Sequence, residues 1–136
     1  MEERRNVNRG FKKLRVWNDA VELFIITNQV LKTLPWDLKK SKMNTLDAAH
    51  SILRNIAEGY CRRSAKEYLN FLNISLGSCG ELNSSMISFH SAELISDDEF
   101  ERFDDHHYKT ENGLIKLAEA IQKKMATNQA WDQTYH

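Results

Sequence analysis

The chain has 136 residues, 41% of them hydrophobic and 28% charged, with one proline and five glycines. That is one domain's worth of chain, too apolar for intrinsic disorder and too poor in turn residues for an all-β sandwich or barrel. Net charge is zero, but residues 1–66 carry 14 Lys and Arg against 7 Asp and Glu (+7), while residues 67–136 carry 5 against 12 (−7).

The first eleven residues mix acids and arginines without an apolar run, and no stretch approaches the ~18 apolar residues of a membrane span. A cytoplasmic protein with no membrane partner is expected. Residues 1–10 read as a mobile basic N-terminus, 11–126 as a helical domain and 127–136 as a mobile C-terminus. The two cysteines, Cys61 and Cys79, lack Cys-x-x-Cys spacing, so both read as reduced, with Cys79 a small core residue.

The first helix is marked by Leu14, Trp17, Val21, Phe24 and Leu31, which fall on steps of three and four and form a core seam. A second row, Val16, Ala20, Leu23, Thr27, Val30 and Leu34, repeats the rhythm part of a turn away. The helix is therefore apolar over more than one face, and this second row reads as an interface with another copy, because a monomer exposing it would show a large apolar patch. Leu34-Pro35-Trp36-Asp37 ends the helix. The second helix spans roughly residues 38–62 along Leu46, Ala49, Leu53, Ile56 and Tyr60, with Gly59 marking a close backbone contact or a bend.

Ser64-Ala65-Lys66-Glu67 reads as a capping box opening the third helix, whose seam is Tyr68, Leu72, Ser75, Cys79, Leu82, Met86 and Phe89. Ser96-Asp97-Asp98-Glu99 is a second box. It opens a fourth helix that runs to about Met125 along Phe100, Phe103, His107, Thr110, Leu114, Leu117 and Ile121. Helices of ~20–28 residues are ~30–42 Å long, and short connections make each antiparallel to the last. The expectation is all-α: an up-down-up-down four-helix bundle.

Several motifs carry a family resemblance: Phe11-x-x-Leu14-x-Val16-Trp17, Leu34-Pro35, Asn55-Ile56-Ala57-Glu58-Gly59, and Ser64-x-x-Glu67-x-x-x-Phe71-Leu72-x-Ile74-x-x-Gly77-Ser78-x-x-Glu81-Leu82. Over roughly residues 11–94 the chain resembles small bacterial four-helix bundle proteins encoded in the intervening sequences of large-subunit ribosomal RNA genes. The same family includes the accessory variability determinant of diversity-generating retroelements. The resemblance implies a homopentameric ring without known catalysis. In the retroelement branch it also implies a basic surface that binds nucleic acid and a reverse transcriptase.

In an antiparallel arrangement, Arg4, Arg5, Arg9, Lys12, Lys13 and Arg15 before and at the start of helix one meet Arg62, Arg63 and Lys66 at the helix two–three junction. These nine cations are the candidate phosphate contacts for RNA or DNA, to be weighed against an ordinary solvated surface. Lys39, Lys40 and Lys42 lie at the opposite end, and no sequence-reading motif is present. Asn55 and Glu58 beside Gly59 are candidates for the subunit contact, with an Arg62 pair one turn away as the alternative for Glu58.

Asp47-x-x-His50 and Asp104-x-x-His107 imitate the spacing of carboxylate-bridged metal sites in helical bundles. Asp47 points away from its helix's seam whereas His107 lies on one, so no metal and no cofactor is expected. The composite expectation is a non-enzymatic, ring-forming scaffold for nucleic acid or for a reverse transcriptase. The alternative is a protein-only interaction module.

Overall fold

The computed structural model describes residues 3–127. The secondary structure of these residues is all helical. Four long helices, α1 (Arg15–Val30), α2 (Lys39–Cys61), α3 (Ala65–Ser91) and α4 (Asp97–Ala126), are joined by short connections. Three 3-10 segments, Val7–Lys13, Leu31–Thr33 and Trp36–Leu38, precede α1 and bridge α1 to α2. The expected mobile C-terminal residues beyond Thr127, and residues 1–2, lie outside the described residues.

Each long helix packs on two others: α1 on α2 and α4, and α3 on α2 and α4. Residue numbers rise on one helix as they fall on its neighbour. Ser75 on α3 donates to the Ile52 carbonyl on α2, and an added Gly59 Cβ would abut Phe71. Asp19 meets Lys109 and Gln29 meets Arg102 across α1 and α4. His107 meets Cys79 and His90 meets Asp97 across α3 and α4. Contacting neighbours therefore run antiparallel.

One core joins the four helices. The buried rows on α3 and α4 are the expected ones, including Tyr68, Leu72, Cys79, Leu82 and Met86, and Phe103, His107, Leu114 and Ile121. On α1 the two rows exchange roles. Val16, Ala20, Leu23, Val30 and Leu34, expected at a subunit interface, are buried inside their own chain. Of the other row, Leu14, Trp17, Val21 and Phe24 are only partly buried, and Leu31, just past the end of α1, is buried as expected. Thr27 can lie in the buried row because its Oγ1 donates to the Leu23 carbonyl at 2.7 Å, so its hydroxyl is not orphaned.

Asn55 is likewise engaged within the chain. Its amide donates to the Ser51 carbonyl and Oγ at 2.8 and 2.9 Å, and Ser51 Oγ lies 2.9 Å from Ser78 Oγ, tying α2 to α3.

The segment before α1 is more structured than its composition suggests. Asn6 caps the first 3-10 turn by accepting from the Arg9 amide at 3.1 Å, and Phe11 packs edge-on against Trp17 with ring centres 5.1 Å apart. The Cys61 thiol donates to the Asn8 carbonyl at 3.2 Å, fastening this segment to the end of α2. Residues 7–10, expected in a mobile end, belong to this turn.

Candidate nucleic-acid interface

The antiparallel arrangement brings three places in the chain to one end: the segment before α1, the α2–α3 junction, and the last turns of α4. The Asn8–Cys61 contact joins the first two directly. Arg4, Arg5, Arg9, Lys12, Lys13, Arg15, Arg62, Arg63 and Lys66 are all exposed. Arg4, Arg5, Arg9, Lys12 and Lys13 surround a recess of about 300 Å³, with Glu3 the acid among its lining residues. Five cations around so small a volume raise the local concentration of any polyanion.

The members of the set are not equivalent. Arg62 donates to Glu58 at 2.8 Å, stands 4.0 Å from Glu67 and lies over the Phe71 ring, 5.2 Å from its centre. Its charge is largely answered inside the chain. The exposed pair itself contributes only about 0.3–0.5 kcal/mol. Glu58, a candidate for the subunit contact, spends its carboxylate on this pair.

Two titratable groups at this end are displaced by their surroundings. Burial, and secondarily the Glu58 charge, pushes the Cys61 thiol above its ordinary 9.0. It therefore remains protonated at neutral pH, as its donation to Asn8 requires. Burial, with a smaller effect of Cys61, raises Tyr60 above 10.0.

Sequence reasoning missed the contribution of α4. Its first turns carry Asp97, Asp98, Glu99, Glu101, Asp104 and Asp105, which drew attention to its acidity. Lys109, Lys116 and Lys123 recur every seven residues and so share one face, and Lys116, Lys123 and Lys124 lie toward the basic end because α4 runs antiparallel to α1. Seven-residue spacing combined with the topology is the signal that would have found them. Lys109 and Lys116 border a groove of about 560 Å³ between α1 and α4, next to Arg15.

The imitation metal pairs do not converge. His107 is buried and its Nε2 donates to the Cys79 carbonyl at 2.8 Å, which fixes the proton on that nitrogen. His50 and Asp47 are exposed, and the His50 ring rests beside Phe24. Among the described residues no group of three or more His, Cys, Asp or Glu side chains could hold a metal ion. Among the same residues no helix is long and apolar enough to cross a membrane.

No curated protein matches the chain. Residues 12–116 match the model of a family described as 23S rRNA-intervening sequence protein, a span covering α1, α2, α3 and two-thirds of α4. The motifs on α1, α2 and α3 lie within that span or at its edge, and the helical architecture agrees with it; this chain belongs to the 23S rRNA-intervening sequence protein family.

Proposed function

We propose that the chain is a non-enzymatic scaffold whose basic end binds nucleic acid, RNA in the first place, through its phosphate backbone. The observation that carries this reading is the gathering of exposed cations from separate parts of the sequence around one end, with five of them lining a single recess. Membership of a family described by a ribosomal RNA intervening sequence favours RNA among polyanions. Phosphate contacts position a strand without reading it, so sequence preference should be slight.

The test is a titration against salt. Affinity should fall linearly on a log–log plot with a slope of about −0.7 to −0.9 per contact. Arg9→Ala combined with Lys12→Ala should flatten it by roughly one to two units. Arg62→Ala should do less, because Glu58 and Glu67 already answer that charge. If neither single-stranded RNA nor duplex DNA binds below about 10 µM at low salt, the chain is a protein-only interaction module.

In this reading the four helices form an up-down-up-down bundle, and copies assemble as a homopentameric ring in the cytoplasm. The row that supports assembly is now on α3: Asn73, Gly77, Gly80, Ser84, Ile87 and Ser91 follow three–four steps and are all exposed. Small side chains there would let a helix of another copy approach closely. A single-chain mass from light scattering at micromolar concentration would reject the ring. The acidic first turns of α4 lie at the far end and suit a basic protein such as a reverse transcriptase, an interaction that should weaken on Asp104→Lys with Asp105→Lys in a pull-down.

A further inference from the structure

We infer that the groove between α1 and α4 is a stacking site for single-stranded RNA, with Tyr108 as the platform for a base. The inference rests on the nucleic-acid reading above and adds to it the state of the strand and the surface it occupies.

The groove has a volume of about 560 Å³, within the ~300–1,000 Å³ usual for ligand sites. Leu14, Val16 and Leu117 supply apolar lining, and Tyr108 at its edge is 64% exposed. An exposed tyrosine on an otherwise solvated helix face has no role in the core. Gly113 lets α1 and α4 approach closely along the groove: an added Cβ would lie 3.2 Å from Val16 Cγ2.

Charge complementarity names the occupant. Asp19 is the acid of the groove, and Lys109 Nζ stands 3.4 Å from its Oδ1, so the group that would repel a phosphate is already answered. Among the described residues Arg15 and Lys116 have no ion-pair partner, and they leave the groove net positive. Lys123 continues the Lys109–Lys116 face toward the basic end, at steps of about 10 Å along the helix axis. Arg15 follows Lys12 and Lys13 of the basic recess in the chain. Cations that track a backbone beside an aromatic surface are the arrangement by which proteins hold single strands, since only an unpaired base has a free face to stack. Asn112, the carboxamide in the groove, both donates and accepts and thereby matches a ribose 2′-hydroxyl.

The experiment measures binding of the full chain to a labelled single-stranded RNA, the same RNA in a duplex, and the deoxy strand, at several salt concentrations. Tyr108→Ala should weaken the single-stranded RNA roughly 5- to 100-fold, leave the duplex unchanged and leave the salt slope unchanged, because it removes no phosphate contact. Tyr108→Phe should retain binding. Lys116→Ala should instead flatten the slope by about one unit. RNA that binds the native chain but is indifferent to Tyr108→Ala, or a duplex that loses as much as the single strand, overturns the inference and leaves the proposed function standing. Equal binding of the deoxy strand overturns the assignment to RNA. Absence of binding to every strand overturns both readings.

Discussion

At Gly59 an added Cβ would lie 2.8 Å from Phe71 Cβ, 3.1 Å from Tyr68 Cδ1 and 3.2 Å from the Tyr68 carbonyl oxygen. Two of these neighbours cannot swing aside, since one is the first atom of a side chain and the other is backbone. Alanine would gain about 1 kcal/mol of helix propensity, against an overpacking cost of about 1–3 kcal/mol. Gly59→Ala should therefore lower the urea midpoint, and a raised midpoint would contradict the close approach. Gly77 meets nothing within 4 Å, and Gly77→Ala should stabilise a dilute single chain by about 1 kcal/mol. A glycine inside a helical pattern announced the contact in the sequence, but only the geometry separates Gly59 from Gly77. Cys79 is a second case. Burial, with a smaller contribution from Glu111, pushes its thiol up from 9.0 to about 12. Between those values the unfolded thiol has lost its proton while the folded one keeps it, so the unfolded state binds fewer protons and stability falls as pH rises. Denaturant midpoints should decline from about pH 9 toward pH 12, and Cys79→Ala should show a shallower decline.

On α1 both rows of apolar residues have helical spacing, so periodicity cannot say which faces inward. The choice is made by partners distant in sequence. The outer row is covered in part by the chain itself, Trp17 by Phe11 and Phe24 by the exposed His50 ring, with ring centres 5.1 and 5.2 Å apart. That cover removes the premise that an apolar row left over on α1 needs a second copy. The helix ends were more legible, because capping is local chemistry. Ser96 accepts from the Glu99 amide at 3.1 Å and Glu99 accepts from the Ser96 amide at 2.9 Å, the complete box expected there. At Ser64 the hydroxyl accepts from the Glu67 amide, but the Glu67 carboxylate lies toward Arg62. The end of α3 was not legible. Glu93 adopts φ 61°, and the Leu94 and Glu93 amides donate to the Phe89 and His90 carbonyls at 2.9 and 3.0 Å, a Schellman ending with a non-glycine residue in the left-handed region. Strain of about 1–2 kcal/mol at Glu93 outweighs the roughly 0.5–1 kcal/mol entropic cost of glycine. Glu93→Gly should therefore raise the melting temperature by a few degrees, measurable by circular dichroism.

Across the whole molecule the charge split of the sequence becomes an axial one, though not the simple division of halves that composition implies. The 30-residue α4 is about 45 Å long and carries acids where it begins and lysines where it ends. Lys116, Lys123 and Lys124 therefore join the cations of residues 4–15 and 62–66, while Lys39, Lys40 and Lys42 stand at the other end, which no count by sequence halves could show. The packing of α1 on α4 also bears on how the chain assembles. The bonds that join α2 to α3 and α3 to α4 span at most 28 residues, as from Ile52 to Ser75, Ser51 to Ser78 and Cys79 to His107, whereas the Arg102–Gln29 bond of the α1–α4 seam spans 73. Closing the longer loop has the higher entropic cost, so the α2–α3 and α3–α4 pairs should form first and α1 should dock on α4 late. Val16→Ala should then chiefly accelerate unfolding, while Leu72→Ala should slow folding; the reverse pattern in stopped-flow chevrons would contradict this order. A seam that forms late is the first to open in the native state. A strand lying along it would act as a clasp, and the amides of α1 would exchange with solvent more slowly with RNA bound than without it.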